Sequence, residues 1–356
     1  MSTGEAAQPA DPEPDTEVRQ LLERLVSEPS PSGEETGVAS TLAEFFAAHD
    51  REVSVDDVGN LRAPADDSVL LTSHMDTVEG DIEVRVTEES AGPTLWGRGA
   101  VDAKGSLAAL AVTAVRTGVS FVGVVAEELD SRGARHLVET RAPPAALING
   151  EPSGADGITL GYRGMLAGTY VATSESGHSS RPGNNAIQDA IAWWAAVEDE
   201  FEQDPYEPIF EQVTAKPVGI DGGQTDDGLS VEATMQVQLR VPPAYSCAEI
   251  RAIADGHLET GHVNWYDSVR PTMGSPRTAL AGAFRAAIRA QGHEPRLLRK
   301  TGTADMNIFA GSWDCPMVTY GPGDSALDHA PDERLPFAEL DLATAVLEQA
   351  VERVQS

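Results

Sequence analysis

Lysine is nearly missing from this chain: it occurs at Lys104, Lys216 and Lys300 and nowhere else in 356 residues. Arginine supplies the rest of the 25 basic side chains, set against 57 acidic ones, for a formal net charge of −32. A surface so short of cations offers little to a phosphate backbone and argues against nucleic-acid binding. The acids are dispersed rather than blocked, which disfavours an acidic tail or a metal-buffering segment. Dense carboxylate with almost no lysine points instead to a halophilic protein, kept soluble in high salt where screening weakens self-repulsion. Cysteine is scarce too: Cys247 and Cys315 are too few for a disulfide framework and fit a reducing interior. No apolar stretch is long enough to span a bilayer, and no secretory hydrophobic region precedes the first helical pattern. The expectation left by these absences is a cytoplasmic enzyme that binds neither nucleic acid nor membrane.

What is present is a hydrophobic fraction of 41%, enough for real cores, in periodic runs that argue against disorder. The length exceeds a comfortable single core, so two structural domains are expected. Residues 1–16, rich in Pro, Ala, Asp and Glu, read as a disordered acidic leader. The spacing of Val18, Leu21, Leu22 and Leu25 predicts a helix over 15–26, and that of Val38, Leu42, Phe45 and Phe46 a second over 34–49. Strands over 69–72, 119–126 and 145–148 then alternate with helices over 105–116 and 131–139. This alternation implies an α/β fold with a mixed, mostly parallel sheet and helices on both faces.

From Gly161 the texture changes. A strand over 165–173 is followed by a helix over 185–201 with Ile187, Ile191, Trp194 and Val197 aligned. Val231, Ala233, Met235, Val237, Leu239 and Val241 alternate with polar neighbours, the mark of a half-buried antiparallel strand. A helix over 247–258 completes a small one-sided α/β sandwich of ferredoxin-like type, and a helix over 280–291 and a strand over 316–320 resume the first pattern. The expected division is a discontinuous catalytic domain over 17–162 and 270–356, interrupted by a lid and dimerisation domain over 163–269.

Five residues of metal-binding type stand at the ends of strand-like runs or in glycine- and proline-marked loops: His74, Asp102, Glu128, Glu151 and His329. Singly each is weak, since a lone histidine after a strand is more often structural and an acidic pair is usually solvated. Their coincidence carries the case, because ligands of open α/β sheets bind beyond the carboxyl ends of the strands. Two imidazoles and three carboxylates suit two borderline divalent ions with one carboxylate bridging. Two cations flanking one water make a nucleophile at neutral pH and polarise the bond it attacks. Asp76 is placed to accept the other ring N–H of His74. Of the neighbours Glu127 and Glu128, which point opposite ways, one can bind metal while the other serves as general base; the order within the pair stays open on physical grounds.

The segments His74-Met75-Asp76-Thr77-Val78, Gly97-Arg98-Gly99-Ala100-Val101-Asp102-Ala103-Lys104-Gly105 and Glu127-Glu128 resemble the signatures of the di-zinc amidohydrolases that include acetylornithine deacetylase, succinyl-diaminopimelate desuccinylase, aminoacylases and glutamate carboxypeptidases. The resemblance covers about residues 16–353. It implies that His74, Asp102 and Glu151 hold one Zn2+ and Asp102, Glu128 and His329 the other, with Co2+ as a substitute. It also implies Glu127 as proton acceptor and Asp76 as the orienting acid. Gly177-His178-Ser179-Ser180-Arg181-Pro182 resembles the family's lid element, which implies a catalytic role for His178 and a homodimer through the inserted domain.

Gly161-Tyr162-Arg163-Gly164, Asn184-Asn185-Ala186, Leu239-Arg240-Val241-Pro242-Pro243 and Lys300-Thr301-Gly302-Thr303-Ala304-Asp305-Met306-Asn307 are most similar, within that family, to hydrolases that release lysine or ornithine from the acidic amino-group carrier protein LysW. That likeness implies a place in lysine or arginine biosynthesis. A Thr-Gly-Thr turn offers hydroxyls and N–H groups to a carboxylate, Lys300 or Asp305 can address a charged amino acid, and Arg240 can clamp a carboxylate with its planar fork. Siblings acting on acetylornithine, succinyl-diaminopimelate or dipeptides share the metal chemistry, and a non-catalytic metal-binding homologue is the reading of another class. Lysine and ornithine differ by one methylene, worth only about 1–3 kcal/mol, so the expectation covers lysine, ornithine or both.

Overall fold

The computed structural model describes residues 14–178, 180 and 182–356, so most of the expected leader lies outside the described residues. The chain divides into two compact units. One runs to Leu160 and resumes over Gly274–Leu298 and Ile308–Ser356; the other comprises Gly161–Met273 and Arg299–Asn307.

The first unit opens with α1 (Thr16–Val26), capped by the Asp15 carboxylate, which accepts the Glu17 and Val18 N–H groups. Its Val18, Leu21, Leu22, Leu25 and Val26 are buried, as are Val38, Leu42, Phe45 and Phe46 of α2 (Thr36–Ala48). There follow β1 (Ser54–Val55), β2 (Leu61–Ala63), β3 (Asp66–His74), the hairpin of β4 (Arg85–Glu89) and β5 (Gly92–Trp96), then α3 (Lys104–Thr117), β6 (Val119–Val124), α4 (Arg132–Thr140), β7 (Leu147–Gly150) and β8 (Gly157–Tyr162). The second unit supplies β9 (Gly164–Glu175), α5 (Ala186–Glu200), β10 (Thr214–Gln224), β11 (Ser230–Val241), α6 (Cys247–Gly256), β12 (His262–Val269) and β13 (Thr272–Met273). The return adds α7 (Ala279–Ala290), β14 (Arg296–Lys300), α8 (Asp305–Ser312), β15 (Met317–Thr319), β16 (Arg334–Pro336) and α9 (Phe337–Gln355).

The main sheet has the order β1-β2-β6-β3-β7-β15-β8-β13, with β14 also on β8. Its centre, β6-β3-β7-β15, is parallel, and its flanks are antiparallel. Every residue of β6 and β7 is buried, as strands covered on both faces require. Helices α1, α3, α7 and α9 pack on one another, and α3 and α9 also pack on β3. This parallel centre sends the ends of β3, β6 and β7 to one edge, where the candidate ligands emerge.

In the second unit four antiparallel strands lie in the order β10-β11-β9-β12, the βαββαβ arrangement of ferredoxin-like domains. β11 buries Ala233, Met235, Val237, Leu239 and Val241 and exposes Glu232, Thr234 and Gln236. The inward face of α5 departs from expectation. Ile191 is 54% exposed, while Ala186, Ala190, Trp193, Trp194 and Val197 are buried. Trp193 takes the inward position because its ring stacks on Tyr170, centroids 4.9 Å apart, and its indole N–H donates to the Ala254 carbonyl at 3.0 Å.

The segment Arg299–Asn307, expected with the catalytic domain, groups instead with the inserted unit. Its polar groups explain why. The Arg163 Nε donates to the Thr301 carbonyl at 2.9 Å, and the Asn307 amide donates to the carbonyls of Arg163 and Arg270 at 3.2 and 2.8 Å. Among the described residues no helix is long and apolar enough to cross a membrane.

Candidate metal centre

His74 is the last residue of β3, Glu127 and Glu128 follow β6 after two residues, and Glu151 follows β7 directly. Asp102 lies in the loop between β5 and α3, and His329 follows a short 3-10 turn at Ser325–Leu327. The structure brings these residues into overlapping groups: His74 with Asp102 and Glu151, Asp102 with Glu128 and His329, and His74 with Glu127 and Glu128, the donor atoms of each group lying within 4.8 Å of one another. Asp102 joins the first two groups. Its Oδ1 lies 3.2 Å from His74 Nε2, and its Oδ2 3.3 Å from His329 Nε2. His329 Nε2 also lies 2.9 Å from Glu128 Oε1, and His74 Nε2 4.0 Å from Glu151 Oε2.

Burial disfavours a charged imidazole at His74, but Asp102, Asp76 and Glu151 outweigh it and hold the group well above its ordinary range. His329 is pushed up to about 10 by its hydrogen bonds to Asp102 and Glu128. Burial raises the Asp102 carboxyl, yet the two imidazoles overcome this and leave it far below the usual carboxylate range. Carboxylates therefore crowd the centre around the two histidines. A divalent ion bound by oxygen and imidazole nitrogen meets the same need, so the donor set fits a metal.

Asp76 does more than orient a ring. The closer partner of His74 Nδ1 is the Asp76 backbone carbonyl at 2.9 Å, with the Asp76 carboxylate at 3.5 Å. The carboxylate itself accepts the N–H groups of Glu127 and Glu128, both at 3.1 Å, and the Ser32 hydroxyl at 2.6 Å. One side chain thus fixes the direction of both neighbouring acids. Ala126 just before them and His329 adopt left-handed φ of 57° and 60°, a conformation that non-glycine residues hold only where their surroundings demand it.

Two supporting acids escaped the sequence reading. Glu35 accepts the Ala126 N–H at 3.1 Å and the Gly33 N–H at 2.9 Å. Glu333, fully buried, accepts the N–H groups of Gly99, Val101 and Asp102 at 3.0, 2.8 and 3.0 Å. Gly99 itself has φ +83°, and a Cβ there would lie 2.7 Å from Thr77 and 3.0 Å from Lys104. Lys104 is buried with its ammonium on the Glu28 carbonyl at 2.7 Å, and burial brings it down to about 8.

The remaining candidates lie in the second unit. His178 is exposed, with Nδ1 2.8 Å from the Ser180 hydroxyl, and Ser179 and Arg181 lie outside the described residues. Arg240 donates to the Thr303 hydroxyl at 3.2 Å, and burial lowers its guanidinium from the ordinary value. Lys300 ends β14, Thr301 and Gly302 form the turn after it, and Asp305 starts α8 as a buried acid.

Donor groups that share a carboxylate, at the edge of a mixed sheet with a further acid beside them, are what metal-assisted hydrolysis requires. The chain belongs to peptidase family M20/M25/M40, whose pattern matches residues 70–353. It is 39% identical to the LysW-lysine hydrolase of Deinococcus radiodurans, with 96% of this chain and 99% of that protein aligned. A putative LysW-lysine/LysW-ornithine hydrolase of Thermococcus kodakarensis is 36% identical over 94% of this chain and 92% of its own length. Among solved structures, a tripeptidase from Staphylococcus aureus shares the fold with a TM-score of 0.77 at 21% identity, covering 96% of this chain and 98% of that one.

Proposed function

We propose that this enzyme releases lysine, ornithine or both from the carrier protein LysW by hydrolysing the amide that links them. The observation that carries the reading is the 39% identity, over nearly the whole of both chains, to a LysW-lysine hydrolase. His74, Asp102 and Glu151 would hold one divalent ion and Asp102, Glu128 and His329 a second, zinc by preference with cobalt suited to the same donors. When bound, the ions supply a water that is nucleophilic at neutral pH and polarise the carbonyl it attacks. Glu127, beside the donors with its N–H fixed by Asp76, accepts the proton of that water and returns it to the departing amine. Asp76 orients His74 and the acid pair. Arg240 with Thr303 takes the carboxylate of the amino acid, Lys300, Thr301 and Gly302 add polar contacts, and Asp305 addresses its terminal cation. His178, contributed by the partner in a homodimer formed through the inserted unit, donates to the developing oxyanion.

Turnover tests the reading directly. Lysyl- and ornithyl-LysW are supplied in parallel with acetylornithine, succinyl-diaminopimelate and a dipeptide, in high salt with zinc or cobalt added. The carrier adducts are expected to be the preferred substrates by kcat/KM. Preference for acetylornithine or a dipeptide, with the adducts left intact, overturns it.

A further inference from the structure

The loop that carries Asp102 has no regular structure between β5 and α3, yet its carboxylate must present one oxygen to each of two imidazoles. Glu333 is what holds it. Oε1 accepts the N–H groups of Val101 and Asp102, and Oε2 accepts the Gly99 N–H and the Arg98 Nη1 at 2.9 Å. Both oxygens are saturated by these four donors, and Glu333 is absent from the donor groups of the centre. The same Arg98 Nη1 donates to the Ala330 carbonyl at 3.2 Å, and the Gly97 N–H meets the Glu333 carbonyl at 3.4 Å. Ala330 is the residue after His329, and Glu333 lies four residues beyond that histidine. One buried carboxylate and one guanidinium therefore clasp the loop bearing Asp102 to the loop bearing His329.

We propose that Glu333, with Arg98, is a positioning residue that sets the metal affinity of the Asp102–Glu128–His329 group while touching neither ion nor substrate. The inference rests on the two-ion reading given above. It follows from how the loops are tied. Glu128 sits in the turn after β6 with its N–H held by the Asp76 carboxylate, outside the clasp, whereas the other two donors of that group sit on loops whose separation Glu333 and Arg98 determine. The His74–Asp102–Glu151 group has two donors on strand ends and depends on the clasp through Asp102 alone. Outer partners of metal ligands commonly change affinity by about 10–100-fold when replaced. Glu333→Gln keeps size and shape but turns an amide NH2 toward either the Val101 and Asp102 N–H groups or the Gly99 and Arg98 donors, so donor faces donor on one side.

The test uses the full chain, stripped of metal and titrated with zinc and then cobalt at fixed pH. Site affinities come from chelator competition, the cobalt absorption spectrum reports ligand geometry, and thermal melting is measured in the metal-free state. The parent is expected to bind two ions. Glu333→Gln is expected to keep one tight site, weaken the other about 10–100-fold, and alter the cobalt spectrum of that site only. Arg98→Lys, which keeps the charge and loses the fork, should weaken the same site to a smaller degree, and it decides the matter should the glutamine variant not fold. A lower metal-free melting temperature with both affinities and the spectrum unchanged assigns Glu333 a purely structural role and overturns the inference while the two-ion reading stands. A parent chain that binds no ion overturns both.

Discussion

The candidate residues of the two units sit in different surroundings. In the first, acids are buried and saturated: Asp76, Glu35 and Glu333 are enclosed, each accepting backbone N–H groups of a loop that carries candidate ligands. In the second, the sheet buries one face and leaves the other polar and accessible, with Arg240 facing a hydroxyl rather than a carboxylate among its described hydrogen bonds. Buried hydrogen-bonded charge costs much to move and therefore fixes geometry; a half-exposed guanidinium keeps donors available for a ligand. On the reading proposed above, substitutions in the two units should differ in what they disturb.

The largest expected effect is at Glu127. Glu127→Gln should keep its metal content and lose turnover by about 10²–10⁴-fold, read by metal analysis beside steady-state kinetics. Near-normal kcat would remove Glu127 as the proton acceptor. Metal uptake comes next. His329 holds its proton up to about pH 10 and His74 well above its ordinary range in the metal-free chain, and a metal ligand must be neutral. Binding should therefore tighten as pH rises toward about 10, the value to which His329 is pushed, and release protons, measured by calorimetry in buffers of different ionisation enthalpy. A pH-independent affinity would contradict the charged imidazoles.

A smaller change is expected at Arg240, where Arg240→Lys removes the fork and should raise KM by about 10-fold with kcat far less affected. A fall in kcat with KM unchanged would erase the division between the units. The smallest concerns Asp15, which caps α1 and pairs with Arg116 without joining any donor group. Asp15→Ala should lower stability by about 0.5–2 kcal/mol and leave kcat/KM alone. Burial raises the Asp15 carboxyl, but Arg116 and the capped N–H groups leave it below the ordinary value. Its contribution is thus present above the unfolded pKa and lost as pH falls through the folded one, so parent and variant melting temperatures should converge in acid.

Much of this was legible in the sequence because the central strands are continuous apolar runs, and His74, Glu128 and Glu151 stand at or just beyond the ends of those runs. β3, β6, β7, α3 and β11 needed only periodicity. β10 was hidden because it is an edge strand with Pro217 and a Gly222-Gly223 pair and almost no buried residue to mark a face. α9 went unread although Leu340, Ala343, Leu347 and Ala350 form a helical stripe; its start after Pro336 lacks a side-chain cap. Ile191 misled because α5 has apolar residues on more than one face, and the choice was made by the Trp193–Tyr170 stack, which joins two elements. Glu333 carries no local signal of its role, since its Asp102 partner lies 231 residues away.

Asp76 has a consequence for anyone who would alter this catalyst. Its carbonyl faces one imidazole while its carboxylate holds the amides of two adjacent acids. Replacing it shifts three roles together, so its effects and those of Glu127 or Glu128 should be strongly non-additive in double-mutant cycles.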